Sequence, residues 1–356
     1  MALPAVAALL LAVACRGSIK APEIQGISRW INSEPLIMEE LRGQVVLVDF
    51  WIYICVNCIR TFPYLKSWHE RYEDDGLVIV GVHAPEFEFE KDYDNVLEAT
   101  QANEIAWPVA LDNDFETWGN YSNRYWPAKY LIDQHGTVRY NHFGEGAYDT
   151  TERMIRRLLE ETGADLSDDE RASSPPQSLD QLFLEVRNGE VTRELYAGSV
   201  RGPASGSIQQ PEYLQNGGNV VHFDASEELQ DGAIFFVSAW RIGLEEARHG
   251  RETTGYEDSL SPVYSARSVN AVLTSETGQP YKVLVTLDAE NLTEQNKEAD
   301  VIIDSNGESY LWFDEPRLYA VIETPNYVRR STLKMASNSG DFGLFAFTFG
   351  IYEDGP

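Results

Sequence analysis

Two cysteines, Cys55 and Cys58, are the residues in this sequence whose type and spacing best suit chemistry. They are separated by Val56 and Asn57 and follow a β-branched and aromatic run, Val45–Trp51. A thiolate is the nucleophile of disulfide exchange, and a cysteine at a helix N-terminus lies beside unpaired N–H groups and the positive end of the helix dipole. We therefore expect Cys55 to attack a disulfide, and Cys58 to resolve the mixed disulfide from one turn further along the helix.

The same pair has two alternative interpretations, half of a zinc site and a structural disulfide. A zinc site needs two further ligands at suitable spacing, and no second CxxC or paired-histidine motif follows in the sequence. A dithiol directly after a buried strand is typical of redox chemistry. The sequence thus predicts a redox-active dithiol and neither a metal nor any other cofactor.

The elements that position this dithiol can be predicted from the flanking residues. Val45–Trp51 favours a strand buried on both faces. Apolar residues at helical spacing follow the dithiol, namely Phe62, Leu65, Trp68 and Tyr72, and we expect Pro63 to kink this helix rather than end it. A second buried strand, Leu77–His83, then predicts a strand, helix, strand unit with a parallel right-handed crossover.

An acidic and aromatic segment follows the second strand, with Glu86, Glu88 and Glu90 alternating with Phe87 and Phe89. One interpretation places a carboxylate of this segment near the dithiol, where it would move protons. The other is a solvated loop with apolar anchors. The sequence leaves both interpretations open and predicts a helix from about Glu90.

The remaining elements of this half are a short strand, a hairpin and a helix. We predict a strand at Val109–Leu111 and a turn that runs into a strand over Tyr125–Asp133. The turn Gln134-His135-Gly136 predicts a hairpin whose second strand is about Thr137–Phe143. A helix over about Thr150–Glu161, with one apolar face, completes the unit.

Length and charge restrict the classes of function. The chain has 356 residues, enough for two domains with their own cores, and 57 acidic against 28 basic side chains give a formal charge of −29. This charge argues against nucleic acid and anionic membrane surfaces as partners.

The first fifteen residues form an uncharged apolar run that ends at Cys15. The run is too short to span a bilayer but fits a secretory segment, although the usual positive charges are missing. Because Cys15 follows Leu11-Ala12-Val13-Ala14, the run resembles a bacterial lipoprotein cleavage box. We therefore predict a signal peptide or lipoprotein signal over residues 1–20, with Cys15 as a candidate lipidation site. The predicted location is exported, either periplasmic or membrane-anchored as a lipoprotein.

A charged and then Ser- and Pro-rich stretch, 165–178, predicts a linker, and the pattern changes after it. Strand-like runs separated by turn residues follow at Leu182–Val186, Asn219–Phe223, Ala233–Val237, Tyr281–Leu287, Asp300–Asp304, Arg317–Ile322 and Leu344–Gly350. No convincing amphipathic helix interrupts them. The predicted fold class is therefore multidomain, an α/β domain over 21–164 and an all-β, jelly-roll-type sandwich over 179–356.

Residues from about 40 to 162 resemble the thioredoxin-like fold of the membrane-associated TlpA and ResA type. The resemblance is carried by D-F-W before C-V-N-C, by Pro63, and by Y-W-P-A-K-Y-L-I-D. It implies that Asp49 is the buried acid that exchanges protons with the resolving cysteine, and that Pro127 is a cis-proline at which the partner chain docks. It also implies that Trp51 packs behind the site, and we place Trp51 and Trp126 in the substrate groove. One departure is Ile54, where the family often has Trp.

The second half resembles the C-terminal module of DipZ-type cytochrome c biogenesis proteins. The segments that carry this resemblance are Arg193–Ser199, Val237–Ala247, Arg317–Glu323 and Leu344–Gly350. It implies a carbohydrate-binding-module-like domain and a glycan as a further partner. Five aromatic residues can serve as stacking platforms or as core, and none is assigned to binding: Trp240, Tyr256, Tyr310, Trp312 and Tyr327. Such proteins normally carry a polytopic membrane domain that delivers electrons, so a reductase of this kind would need a separate membrane electron donor.

Three hypotheses for function remain. The first is an extracytoplasmic thiol:disulfide oxidoreductase that acts on a disulfide-bearing protein, as a reductant in cytochrome c maturation for example. The second is a thiol peroxidase, a class that carries Thr or Ser three residues before its reactive cysteine, where this sequence has Ile52. The third is a glycan- or protein-binding module for which the redox domain serves as a scaffold.

Overall fold

The computed structural model of this protein describes residues 19–166, 191–215, 218–225 and 229–350. Cys15 with nearly all of the predicted signal segment, most of the predicted linker, and the predicted strand Leu182–Val186 lie outside the described residues. Among the described residues, no helix combines the length and the apolar character that crossing a membrane requires.

The first half is built on a six-stranded sheet with the strand order β1-β4-β3-β2-β5-β6. Its strands are β1 (Trp30–Ile31), β2 (Val45–Trp51), β3 (Leu77–His83), β4 (Val109–Leu111), β5 (Ala128–Ile132) and β6 (Val138–Phe143). Its helices are α1 (Val56–Ile59), α2 (Phe62–Tyr72), α3 (Tyr93–Ala102), α4 (Glu116–Asn120) and α5 (Tyr148–Thr162), with a 3-10 helix at Glu88–Lys91. Strands β2, β3 and β4 are parallel, whereas β5 and β6 are antiparallel. The predicted thioredoxin-like fold is confirmed.

Strand β2 is buried along its whole length, as its sequence predicts. Successive side chains point to opposite faces of the sheet, so Val46 and Val48 pack in one apolar cluster and Leu47 and Trp51 in another. Asp49 therefore shares the face of Leu47 and Trp51, which is the face that α1 and α2 cover. A carboxyl group is thereby buried on the face of the sheet that packs against the dithiol.

The prediction for Pro63 was wrong. The helical pattern is divided, because α1 ends at Ile59 and α2 begins at Phe62. Pro63 is the second residue of α2, where its missing N–H has no intrahelical partner to lose and its fixed φ suits a helix start. The apolar periodicity crosses the break because α1 and α2 both pack on the same core.

The second half forms an eleven-stranded sheet, and all of its strand pairs are antiparallel, consistent with the predicted sandwich. The strands are β7 (Leu195–Tyr196), β8 (Val220–Phe223), β9 (Ala233–Ile242), β10 (Ala247–His249), β11 (Ser259–Thr274), β12 (Tyr281–Leu287), β13 (Glu290–Asn291), β14 (Val301–Ile303), β15 (Ser309–Phe313), β16 (Arg317–Ala336) and β17 (Gly343–Gly350). A short helix α6 (Gly202–Ser205) and a 3-10 helix at Pro211–Gln215 lie between β7 and β8.

The sequence analysis missed the central strand β11, and β16 continues well past its predicted end at Ile322. Pro262 and several polar residues obscure the period-2 pattern of β11. The first part of β11 pairs with β9 and its later part with β17, while β16 pairs along its length with irregularities in register. Pro262 lies opposite Ile234 in the part of β11 that pairs with β9.

The two halves share a buried apolar contact beside the dithiol. Phe345 of β17 packs on Phe87 and Phe89, with ring centroids 4.6 and 4.9 Å apart. Phe345 is only 6% exposed and belongs to the same buried cluster as Cys55 and Cys58. The second half therefore lies directly over the face of the first half that carries the dithiol.

Candidate active site

The dithiol lies at the start of α1. Cys55 is the N-cap residue, and its Sγ accepts a hydrogen bond from the backbone N–H of Cys58 at 3.2 Å. Both cysteines are free thiols. Cys58 is fully buried and Cys55 is 7% exposed, so Cys55 is the sulfur that a partner can reach. Nucleophile for Cys55 and resolving thiol for Cys58 remain the predicted roles.

Asp49 and Lys129 form a buried ion pair on the same sheet. They are direct cross-strand partners on β2 and β5, and Nζ of Lys129 lies 3.5 Å from Oδ1 of Asp49. Burial raises the pKa of Asp49 from 3.8 to about 6, and the Lys129 charge opposes that rise. A carboxyl group with this pKa can both accept and release a proton near neutral pH. The sequence analysis assigned no role to Lys129, although a lysine inside the apolar run A-K-Y-L-I was a visible signal.

Pro127 and Trp126 lie at the edge of the site, before β5. The Trp126–Pro127 peptide bond is cis, which is the geometry that the family resemblance implies. The Trp126 ring packs on Trp118 at 4.4 Å between centroids, and its Nε1 donates a hydrogen bond to the carbonyl of Ala84. These contacts hold the Trp126 side chain in the wall of the site.

Trp51 does not line a groove, which corrects the placement made from the sequence. It is 1% exposed, and its ring meets Phe62 and His83 edge-on at 5.3 and 5.2 Å between centroids. Because β2 is covered on both faces, a side chain at this position cannot reach a substrate. Trp51 packs behind the dithiol, as the family resemblance also implies.

Cys55 opens into a cleft of about 370 Å³ between the two halves. The lining residues of the first half are Ile52, Cys55, Glu86, Arg124, Tyr125 and Trp126, and those of the second half are Glu194, Tyr196 and Arg201. A second cavity of about 710 Å³ adjoins it and shares Glu86, Tyr196 and Arg201 as a wall. The same three side chains therefore border both cavities.

The second half closes the cleft with polar groups. The Tyr196 Oη lies 2.6 Å from Oε2 of Glu194 and 3.0 Å from Oε1 of Glu86. Arg201 forms an ion pair with Glu86. Glu194 and Tyr196 were noted in the sequence only as part of Arg193–Ser199, for a family resemblance, and Arg201 was not noted. Tyr196 is 110 positions from Glu86 along the chain. No local pattern could have placed them beside Cys55.

The pKa of Cys55 is raised well above its ordinary value in this enclosure. Burial is the largest cause, followed by Cys58 and the negative charge of Glu194, while the Cys58 N–H opposes the rise. The helix-start position that favours a thiolate is thus outweighed by loss of contact with water. A thiol held in this way needs a proton acceptor before it can attack a disulfide.

Different residues of the acidic segment, Glu86 and Glu90, have different surroundings. Glu86 faces the cleft, as the proton-transfer interpretation requires. Glu90 is fully buried, and its Oε2 accepts the backbone N–H groups of Glu86 and Phe87 at 2.8 and 3.0 Å. Glu90 therefore shapes the loop that presents Glu86 and Phe87.

Other candidate sites are weaker. Among the described residues, no three His, Cys, Asp or Glu side chains converge to hold a metal ion. Trp240 is fully buried and cannot stack on a sugar, whereas Trp312 is 48% exposed on β15.

Comparison with known proteins gives separate matches for the first and the second half of the chain. Residues 20–141 match the AhpC/TSA family, and residues 192–350 match the family described as thioredoxin like C-terminal domain. The chain is 50% identical over 142 residues to the protein DipZ of Mycobacterium tuberculosis, an alignment that covers 39% of this chain and 20% of DipZ. It is 30% identical over 142 residues to the thiol-disulfide oxidoreductase YkuV of Bacillus subtilis, covering 40% of this chain and 95% of YkuV. It is also 26% identical over 133 residues to the thiol-disulfide oxidoreductase ResA of Bacillus cereus, covering 36% of this chain and 71% of ResA. The match thus spans a fifth of DipZ and nearly all of YkuV.

Proposed function

This chain belongs to the thioredoxin-like thiol-disulfide oxidoreductases, and on that premise we propose that it exchanges disulfides with a protein partner outside the cytoplasm. The observation that carries the proposal is the placement of Cys55 and Cys58 at the start of α1, packed on the face of the sheet on which Asp49 is buried. The dithiol is the redox group, and no other cofactor takes part.

The reaction has two exchange steps. The Cys55 thiolate attacks one sulfur of the partner disulfide, so that a Cys55–partner disulfide forms and the other partner sulfur leaves with one proton. Cys58 then attacks Cys55, the second partner sulfur leaves with one proton, and the enzyme disulfide forms. Two electrons and two protons pass from the dithiol to the partner.

Asp49 serves the second step. Cys58 is fully buried and cannot give its proton to water, whereas the pKa of Asp49, raised to about 6 by burial, suits a carboxylate that accepts this proton and passes it on. Lys129 positions the Asp49 carboxylate and keeps its pKa from rising further. Asp49 is thus the proton relay of the resolving thiol.

The partner enters through the cleft between the two halves. A cleft of about 370 Å³ admits an extended segment or a loop but not a folded surface. Trp126 forms part of its wall, and Pro127 is the proposed dock for the partner backbone. Tests with partner proteins should therefore use unfolded or locally extended disulfides, such as those of an apocytochrome c.

The setting of the reaction is part of the proposal. The apolar N-terminal run predicts export, and the resemblance of the second half to DipZ-type cytochrome c biogenesis proteins favours a reductant in cytochrome c maturation that receives its electrons from a membrane donor. A glycan bound by the second half would add localisation at the cell envelope.

The decisive measurement is the equilibrium reduction potential of the Cys55/Cys58 pair, obtained by titrating the protein that begins after Cys15 with glutathione or dithiothreitol. We expect one reversible two-electron transition near the value of thioredoxin, about −270 mV, which marks a reductant. A value near that of DsbA, about −120 mV, would instead mark an oxidant. Cys55→Ser is the control and should show no transition. Absence of a reversible transition in the unaltered protein would remove the proposal.

A thiol peroxidase is the second candidate, because residues 20–141 match the AhpC/TSA family. Ile52 lines the cleft beside Cys55 and offers no hydroxyl to orient a peroxide. We expect peroxide consumption by the protein with dithiothreitol to equal that of Cys55→Ser. A rate well above that control would favour the peroxidase.

A further inference from the structure

The Tyr196 hydroxyl lies between the carboxyl groups of Glu194 and Glu86. Its Oη is 2.6 Å from Oε2 of Glu194 and 3.0 Å from Oε1 of Glu86, both within hydrogen-bond distance. A phenol has one O–H and can donate to one of these oxygens only. A proton that reaches the Glu194 carboxylate can therefore be shared with Tyr196, and the phenol then donates its own proton to Glu86.

Glu194 is the carboxyl group of this cluster that is best suited to accept a proton. Glu86 is paired with Arg201. Glu194 has no basic partner among the described residues, and burial raises its pKa. The ionisable groups that surround it in the cleft are Cys55 at the start of α1, Glu86 after β3, Arg124 before β5, Tyr196 on β7 and Arg201 before α6. A proton on Glu194 thus connects through Tyr196 to Glu86.

We propose that Glu194, supplied by the second half of the chain, carries the proton between Cys55 and the departing sulfur of the partner disulfide. This inference rests on the proposed function and adds a second acid–base group to it. Glu194 and Cys55 line the same cleft, and the partner disulfide must occupy that cleft to be attacked. Asp49 lies on the face of the sheet that α1 and α2 cover, outside this cleft, and in the proposed function it serves Cys58.

The first exchange step balances with Glu194 as the carrier. The Glu194 carboxylate takes the proton of the Cys55 thiol as the sulfur–sulfur bond to the partner forms. The partner disulfide breaks, and its leaving sulfur receives the same proton from Glu194. Glu194 ends the step in its initial state, and the Tyr196–Glu86 chain holds the proton in the interval.

The test compares two disulfides with different leaving groups. An alkyl peptide disulfide releases a basic thiolate that needs a proton, whereas an aromatic disulfide such as dithiobis(nitrobenzoate) releases a weakly basic thiolate that does not. We expect Glu194→Gln to slow reduction of the peptide disulfide about 100-fold, the low end of the usual range for general acid–base catalysis, and to leave the aromatic disulfide within about threefold. Glu290→Gln removes an exposed carboxyl of the same half, and this control should change neither rate.

Two further measurements separate a proton carrier from other roles. Glu194→Gln removes a negative charge beside Cys55, so iodoacetamide should alkylate Cys55 faster at pH 7 although the peptide disulfide reacts more slowly. Tyr196→Phe should alter the pH profile of peptide reduction and retain part of the rate. Equal losses on both disulfides, or no loss on either, would overturn the role of Glu194 while the reversible redox transition of the variant upheld the proposed function. Absence of that transition in the unaltered protein would overturn both.

Discussion

The two sides of the dithiol are built in different ways. The side below is formed by Asp49 and Lys129, which are fixed by the register of adjacent strands of one sheet. The side above is formed by Glu194, Tyr196 and Phe345, which belong to the second half and are held there by side-chain contacts. Main-chain register fixes the proposed proton relay, whereas the part of the second half that covers Cys55 is held by side-chain contacts, which we expect to open for a partner. The comparison suggests that the lower side determines the redox chemistry and the upper side determines access.

The largest expected effects come from the two sulfurs, which lie between the two sides. Cys55→Ser and Cys58→Ser should each reduce turnover of a peptide disulfide to the background rate. Only Cys58→Ser should accumulate a mixed disulfide with the peptide, because Cys55 can still attack while nothing resolves the product. Mass spectrometry of the non-reduced protein detects this adduct.

The same experiment can contradict the assignment of roles. A mixed disulfide that forms with Cys55→Ser and not with Cys58→Ser would make Cys58 the nucleophile. Cys58 is fully buried, whereas Cys55 is 7% exposed. That result would therefore mean that the second half moves far enough to expose the sulfur of Cys58.

The next largest effect concerns the upper side. Phe345→Ala removes the ring that packs on Phe87 and Phe89, and truncation of a buried Phe typically costs about 3–5 kcal/mol. If about 1.4 kcal/mol of this cost destabilises the arrangement in which the second half covers Cys55, the fraction of molecules with Cys55 uncovered increases tenfold. We expect iodoacetamide to alkylate Cys55 in this variant at least about tenfold faster at fixed pH.

Phe342→Ala is the matched control, because Phe342 is fully buried in the core of the second half and lies outside the cluster that contains Cys55. It should destabilise the second half to a similar extent and accelerate alkylation much less. Equal acceleration by both variants would show that general loosening of the second half, and not the contact of Phe345, controls access.

The lower side was largely predictable from the sequence. A strand, a dithiol at a helix start and a second strand follow one another within about forty residues, so local periodicity and turn residues specify them. Strands β3 and β4 have their predicted bounds. The break before Pro63 and the partner of Asp49 were missed. Pro63 was misjudged because apolar spacing does not distinguish one kinked helix from two that pack on one core.

The upper side could not have been predicted in this way. Glu194 and Tyr196 reach Cys55 only because β7 pairs with β17, and the position of β17 depends on the long strand β11, which local pattern did not reveal. Polar residues in a strand that is buried on both sides carry no period-2 signal. Contacts that depend on such a strand follow from tertiary packing and not from the adjacent sequence.

The pH dependence of stability sharpens the description of the lower side. The pKa of Asp49 is about 6 in the folded protein against an ordinary value of 3.8, so the folded state binds a proton more tightly than the unfolded state. The free energy of unfolding should therefore fall as pH rises through the interval from 3.8 to about 6, by about 3 kcal/mol for a shift of this size. Asp49→Asn lacks this contribution. Urea unfolding of both proteins between pH 3.5 and 7 should show that the free energy of unfolding of the unaltered protein falls by that amount relative to that of Asp49→Asn.

Lys129→Met tests the cause of that pKa. The Lys129 charge holds the pKa of Asp49 down against burial, so its removal should move the pH interval of the stability loss upward from about 6. More of Asp49 is then protonated at pH 7, fewer carboxylates can accept the Cys58 proton, and resolution of the mixed disulfide should slow while alkylation of Cys55 stays the same. An unchanged pH interval would mean that Asp49 acts without Lys129, and the lower side would then depend on burial alone.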